Sequence, residues 1–223
     1  MPDTSRALRS PDFALAVALA ALAGWVDATA YVRLAHTYVS FMSGNSTALA
    51  SSAGAAAAPR APLLACVLAA FVVGVILGET TANFVGKRGH SAALLLESLL
   101  LFAAMGAAWP KGSLFLPAAL LAAALGVQNA SVHETAGMTI AITYVTGTLV
   151  RFGRRVAAAL TGRGAWREAL PYLFLWLGLM AGAAGGAAVA RTNAVLAIAA
   201  AGAAALVFAL LLLLPRNRER GLG

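Results

Sequence analysis

Six apolar runs, at 13–35, 61–85, 91–109, 114–132, 169–190 and 194–214, leave this chain almost no choice of surroundings. Each is about 18–25 residues long, the length a helix needs to cross ~30 Å of hydrocarbon. With 61% hydrophobic and 11% charged residues in 223, and a mean hydropathy of +0.84, there is too little polar surface to cover a water-soluble globule of this size. Alanine, leucine and glycine dominate the runs, whereas a membrane barrel alternates apolar and polar residues over short strands. The expected fold class is therefore an all-α membrane protein with six transmembrane helices. A basic flank before Phe13 resembles a signal peptide, but segment 114–132 repeats the end of the first run in mid-chain, so the first span is expected to stay in the mature protein.

The net charge of +8 follows from where the cations sit and gives no reason to expect a nucleic-acid partner. With the N-terminus inside, the cytoplasmic segments of a six-span chain hold Arg6, Arg9, Lys87, Arg88, Arg151, Arg154, Arg155, Arg163, Arg167, Arg216, Arg218 and Arg220. The outside loops keep Arg60, Lys111 and Arg191. This positive-inside bias places both termini in the cytoplasm. Arg151, Arg154 and Arg155 share one helix face, suited to anionic lipid headgroups.

The chain also repeats itself. Gly24-x-x-Asp27-Ala28 followed by Ser43-Gly44-Asn45-Ser46-Thr47 is echoed by Gly126-x-Gln128-Asn129-Ala130 followed by Thr146-Gly147-Thr148. Gly74 and Gly78 align with Gly178 and Gly182, so the order of landmarks is kept. Repeat one is expected at 12–110 and repeat two at 113–214 of a single membrane domain, with basic tails at 1–11 and 215–223. Three spans per repeat would invert the second copy about an axis in the membrane plane. The loop after the first motif carries Arg60 alone against five arginines after the second, in keeping with opposite faces. A rival count makes 37–57 and 137–159 full spans, giving eight helices and a parallel repeat. In the six-span reading each motif segment is a polar half-helix, re-entrant or lying on the surface, and irregular backbone at membrane depth must be buried or line a wet cavity.

Such a cavity would be lined by Asp27, Ser43, Gly44, Asn45, Thr47, Gln128, Asn129, Thr146, Gly147 and Thr148. Ser43 or Asn45 reads as the N-cap of a half-helix whose positive end would face a polar, small, often anionic solute; alternatively the motifs only cap and pack helices. Asp27 is an intramembrane carboxylate against the neutral Asn129, a candidate for binding a proton or cation. Its plainer roles are the cap of a broken helix or a pair with Arg33. Glu79 and Glu97 have no acidic counterpart in repeat two, and either is a candidate for lining a wet groove. The Gly74/Gly78 and Gly178/Gly182 faces suit close packing, within the chain or in a homodimer. No catalytic role, metal or cofactor is expected. His36, His90 and His133 are scattered, Cys66 is the single cysteine, and Ser43 lacks a histidine placed to activate it.

Gly24-x-x-Asp27-Ala28-x-x-Tyr31, Val39-Ser40-Phe41-Met42-Ser43-Gly44-Asn45-Ser46-Thr47, Gly126-x-Gln128-Asn129-Ala130 and Tyr144-Val145-Thr146-Gly147-Thr148-Leu149 together resemble the YoaK family of bacterial inner-membrane proteins, a domain of unknown function. The resemblance spans roughly residues 12–214. It implies a multi-span bacterial membrane protein and leaves open whether the chain transports a solute or serves as a scaffold or partner subunit.

Overall fold

The structure, a computed structural model, describes residues 8, 10–52, 59–107, 113–130 and 145–214. These form α1 (Pro11–Arg33), α2 (Met42–Ser51), α3 (Ala61–Val85), α4 (Gly89–Gly106), α5 (Phe115–Ala130), α6 (Val145–Leu160), α7 (Leu170–Thr192) and α8 (Ala194–Leu213). Short 3-10 turns at Gly86–Arg88 and Trp166–Glu168 lead into α4 and α7. No strand occurs among the described residues. The six expected apolar runs coincide with α1, α3, α4, α5, α7 and α8, their ends displaced by at most three residues. The basic tails and the segment 131–144 lie outside the described residues, apart from the few at the start of α1.

Local chemistry sets the helix starts. Ser10 caps α1 by accepting a 3.1 Å bond from the Phe13 N–H, with Pro11 at the first helical position, where its missing N–H is no loss. Asn193 breaks the chain between α7 and α8 in an extended conformation, and its side chain accepts from the Leu196 N–H at 3.0 Å. Gly86, at φ 66°, supplies the left-handed residue that turns α3 into α4.

Among the described residues, four stretches are long and apolar enough to cross a membrane: Pro11–Arg33, Ala61–Gly106, Trp166–Thr192 and Ala194–Leu213. The second contains both α3 and α4, and α5 is apolar but shorter. α1 buries Ala16, Leu19, Ala23, Val26 and Ala30 in one core with Leu121, Ala122 and Leu125 of α5 and Leu94 and Leu101 of α4. Outward faces stay apolar, with Val72, Val73, Ile76 and Leu77 on α3 and Val207, Leu210 and Leu211 on α8 exposed. Large apolar outer surfaces of this kind belong against lipid. The chain is an all-helical membrane protein.

The closest backbone approaches give the helix directions. Along α1, Val17, Ala21 and Trp25 meet Gly178, Gly182 and Gly186 of α7 in turn, so these two helices run parallel. Cys66 lies against the Phe115 carbonyl and Gly74 against Ala123, so α3 and α5 are also parallel. Ser91 bonds the Ala209 carbonyl at 2.7 Å and Ser98 the Gly202 carbonyl at 2.9 Å, which makes α4 and α8 antiparallel. The first helix of each half thus packs on the second helix of the other half, and the third helices pair with each other.

These approaches shift one expected correspondence by a full turn. Gly74 faces Ala123 and Gly182 faces Ala21, the aligned residue of the other half, so Gly74 matches Gly182 rather than Gly178. A methyl group on any of Gly74, Gly178 or Gly182 would overlap the neighbouring helix of the same chain. Gly74, Gly178 and Gly182 thus make close approaches within the chain. α2 and α6 have 10 and 16 residues, reaching about 15 and 24 Å at 1.5 Å per residue. α2 is too short for a full span of ~30 Å, and α6 is described from Val145, where the described residues resume. Of the two full spans in the eight-helix count, 37–57 contains helix only over Met42–Ser51 among its described residues, and part of 137–159 lies outside them.

Candidate functional site around Asp27

α1 ends at Arg33, and the chain reverses through Ala35 and His36, at φ 49° and 59°. Left-handed backbone is rare at residues with a Cβ and persists only where surroundings hold it. Those surroundings converge from three helices. From α1, Asp27 accepts 2.7 and 2.9 Å bonds at Oδ1 from the Val39 and Ser40 N–H groups, and a 2.8 Å bond at Oδ2 from the Ser40 hydroxyl. From α2, the Asn45 amide donates to the Tyr38 carbonyl at 2.8 Å. From the start of α3, Arg60 donates to the His36 carbonyl at 2.8 Å.

Aromatic rings close the cluster. Tyr31 stacks on Tyr38 at 4.8 Å and meets His36 edge-on at 5.0 Å, while Phe41 packs edge-on against Tyr38 at 5.5 Å. Partial burial, with Tyr31 and Asp27 adding to it, holds the Tyr38 hydroxyl above its ordinary pKa, so the phenol stays neutral. Leu34, Thr37, Val39 and Ser40 are buried beneath it. Segment 34–41 is thus a fastened loop, and Asp27 is its main fastener. Donors from Val39 and Ser40 occupy both oxygens; α1 is unbroken at Asp27, so the carboxyl group holds the loop and neither caps a broken helix nor pairs with Arg33.

The first motif differs from expectation at its start. α2 begins at Met42 behind Phe41 with no side-chain cap, so Ser43 and Asn45 fall inside its first turn. Asn45 is buried and turns back to the loop, Thr47 bonds the Ser43 carbonyl at 3.0 Å, and Ser43 and Thr47 are exposed. Gly44 sits against the Phe41 ring, where any side chain would collide. The approach to α2 is already occupied by the Asp27 carboxyl group.

In the second copy Gln128 is fully buried in the last turns of α5, and its amide donates to the Leu19 carbonyl of α1 at 3.3 Å. Asn129 bonds the Leu125 carbonyl at 2.7 Å. At the start of α6, Thr146 is exposed, Gly147 buried and Thr148 half-buried. Tyr144 and His133 lie outside the described residues, as does the stretch that would mirror the fastened loop. Asp27 and Asn45 are brought together through that loop. Gln128 meets α1 eight residues before Asp27, about 12 Å along the helix. A crevice of about 310 Å³ between α1, α7 and α8 is lined by apolar residues including Leu22, Trp25, Ala204 and Phe208, and so does not suit a polar solute.

Tyr31, His36, Tyr38, Ser40 and Arg60 were not foreseen as site residues. Arg60 carries a signal in retrospect, being the lone charge between two uncharged segments.

A family described as "Protein of unknown function (DUF1275)" matches residues 15–213, from α1 to the end of α8. The chain belongs to this family. The UPF0700 transmembrane protein RA0705 of Rhizobium meliloti (strain 1021) is 34% identical over 199 residues, covering 85% of this chain and 80% of that protein. No solved structure matches. The family match spans both motif sets, and the resemblance read from them holds at the level of a bacterial membrane-protein family of unknown function.

Proposed function

We propose that this DUF1275 protein is a small secondary transporter or channel of the bacterial inner membrane, carrying a polar small solute, anions included. In this reading its six apolar helices all span the bilayer as two inverted three-helix repeats, both termini are cytoplasmic, and the solute passes between the repeats. The observation that carries it is the set of helix directions. α3 and α4 are joined by a three-residue turn, and α7 and α8 by Asn193 alone. If both joints are hairpins, the parallel pairs α1/α7 and α3/α5 and the antiparallel pair α4/α8 make the six helices alternate along the chain. Alternation across α2 and α6 supports segments that return to the side they left, as inverted-repeat carriers require. Asp27 and Gln128 then flank the middle of α1. Catalysis, metals and cofactors form no part of this reading. Nor does a homodimer through Gly74 or Gly182, whose faces are filled within the chain.

The test is solid-supported-membrane electrophysiology on proteoliposomes, with concentration jumps of chloride, formate, acetate and phosphate. Protein-dependent currents reduced at least tenfold by Thr146→Val together with Gln128→Leu support the reading. Currents no larger than in empty liposomes across the series, with the same variants lowering Tm, support the second reading. That second reading is a scaffold or partner subunit whose polar motifs serve packing. It is favoured by one observation: Asp27 accepts from, and Asn45, Gln128 and Asn129 donate to, backbone groups of their own chain.

A further inference from the structure

Glu97 lies eight residues into the 18-residue α4, with about 12 Å of helix on either side of it. It is 0% exposed, and neither carboxyl oxygen has a hydrogen-bond partner among the described residues. The wet groove expected around it is absent from the described structure; the seam is closed instead. Its neighbour Ser98 donates to the Gly202 carbonyl and Ser91 to the Ala209 carbonyl, so the hydroxyls of α4 are committed to α8.

No cation faces it from the packed helices. α5 and α8 carry no titratable side chain, and α3 brings only Cys66 and Glu79. Lys87, Arg88 and His90 sit at the α3–α4 turn, seven or more residues away, at least about 10 Å along the helix. A carboxylate here would be an unpaired charge within a bundle surrounded by hydrocarbon, the costliest state available to it. Asp27, with three donors, is the contrasting case.

We infer that Glu97 is a proton-binding site: it holds a proton while the seam of α4 with α5 and α8 is closed, and exchanges it with water when that seam opens. The ligand is the proton itself, passing between water and one carboxyl oxygen with no other bond made or broken. This deepens the transport reading, on which it rests for its role, by making the proton the coupling ion and moving that role from Asp27 to Glu97.

The full chain in phosphatidylethanolamine–phosphatidylglycerol vesicles tests this by infrared spectroscopy. A protonated-carboxyl carbonyl band is expected at pH 7, lost in Glu97→Gln; should that variant not fold, ¹³C-glutamate labelling of the unsubstituted protein and of Glu79→Gln assigns the band to a glutamate other than Glu79. A cysteine replacing the buried Ala205, in a Cys66→Ala background, reports the seam. Its maleimide labelling rate, divided at each pH by that of a free thiol because the thiolate is the reacting form, is expected to rise severalfold between pH 6 and pH 9, and to be independent of pH once Glu97→Gln is added. Absence of the band at pH 7, or the same rise with Glu97→Gln present, overturns the inference. Neither readout needs solute flux. A band and a pH-dependent seam without solute currents would leave the proton site standing and refute the transport reading; solute currents without the band would do the reverse.

Discussion

Asp27 is the residue on which the loop after α1 depends, since it satisfies two backbone N–H groups and one hydroxyl within a segment that also holds two left-handed residues. Replacing it by alanine leaves the Val39 and Ser40 donors buried without an acceptor, at about 1–3 kcal/mol each for a buried unsatisfied group. Asp27→Ala is therefore expected to lower Tm by several degrees in detergent, with Asp27→Asn intermediate because one amide oxygen still accepts; equal Tm for all three proteins would refute the role. The intramembrane carboxylate was legible from its apolar neighbours, but its partners were not. The pair Ala35-His36 holds neither glycine nor asparagine, and histidine is only a weak mark of positive φ, so the tight reversal that brings Val39 and Ser40 back onto α1 was barely marked in the sequence. Glycines make a second residue-scale case. Gly182→Ala would place a methyl group on the Ala21 carbonyl, whereas Gly153 has nothing within 4 Å of an added Cβ. Overpacking of this kind costs about 1–3 kcal/mol or more. Calorimetry is expected to show a large loss for the first substitution and none for the second.

At the scale of elements, membrane length made the six apolar helices legible, because a continuous apolar run of that size has few other fates. The glycine register was less so. Gly178, Gly182 and Gly186 recur every fourth residue, so Gly74 aligns equally well with two of them, and only the approach of Ala21 and Ala123 selects Gly182. The polar motif segments became α2 and α6, different in kind: α2 is uncharged, while α6 exposes Arg151, Arg154 and Arg155. Arg155 bonds Glu168 at 2.6 Å across the turn into α7, with side chains 48% and 21% exposed. An ion pair this open to solvent contributes at most about 1 kcal/mol. Glu168→Gln is expected to lower stability by less than that, with the difference vanishing at high salt; a larger loss that survives high salt would show that Glu168 does more than pair. Substituting the three α6 arginines by glutamine is expected to weaken cosedimentation with phosphatidylglycerol vesicles of a detergent-depleted preparation.

In the proposed architecture of the whole molecule, two halves exchange helices and point in opposite senses. The first helix of each half lies along the second helix of the other, with backbones close enough at Gly24, Gly74, Gly126 and Gly182 to exclude a side chain. The pattern of partners was not legible in the sequence, since alanine and glycine surfaces are complementary to almost any similar helix. Charge in the loops pointed to inversion on separate grounds, with Arg60 after the first motif and five arginines after the second. The most direct measurement is the sidedness of the loops after α2 and α6. Cysteines placed singly at the exposed Ser51 and Thr161, in a Cys66→Ala background, are to be labelled in intact cells with a membrane-impermeant maleimide. Inverted repeats predict that Ser51→Cys reacts from outside and Thr161→Cys only after the membrane is opened; reaction of both from the same side would contradict the inverted architecture and restore a parallel repeat.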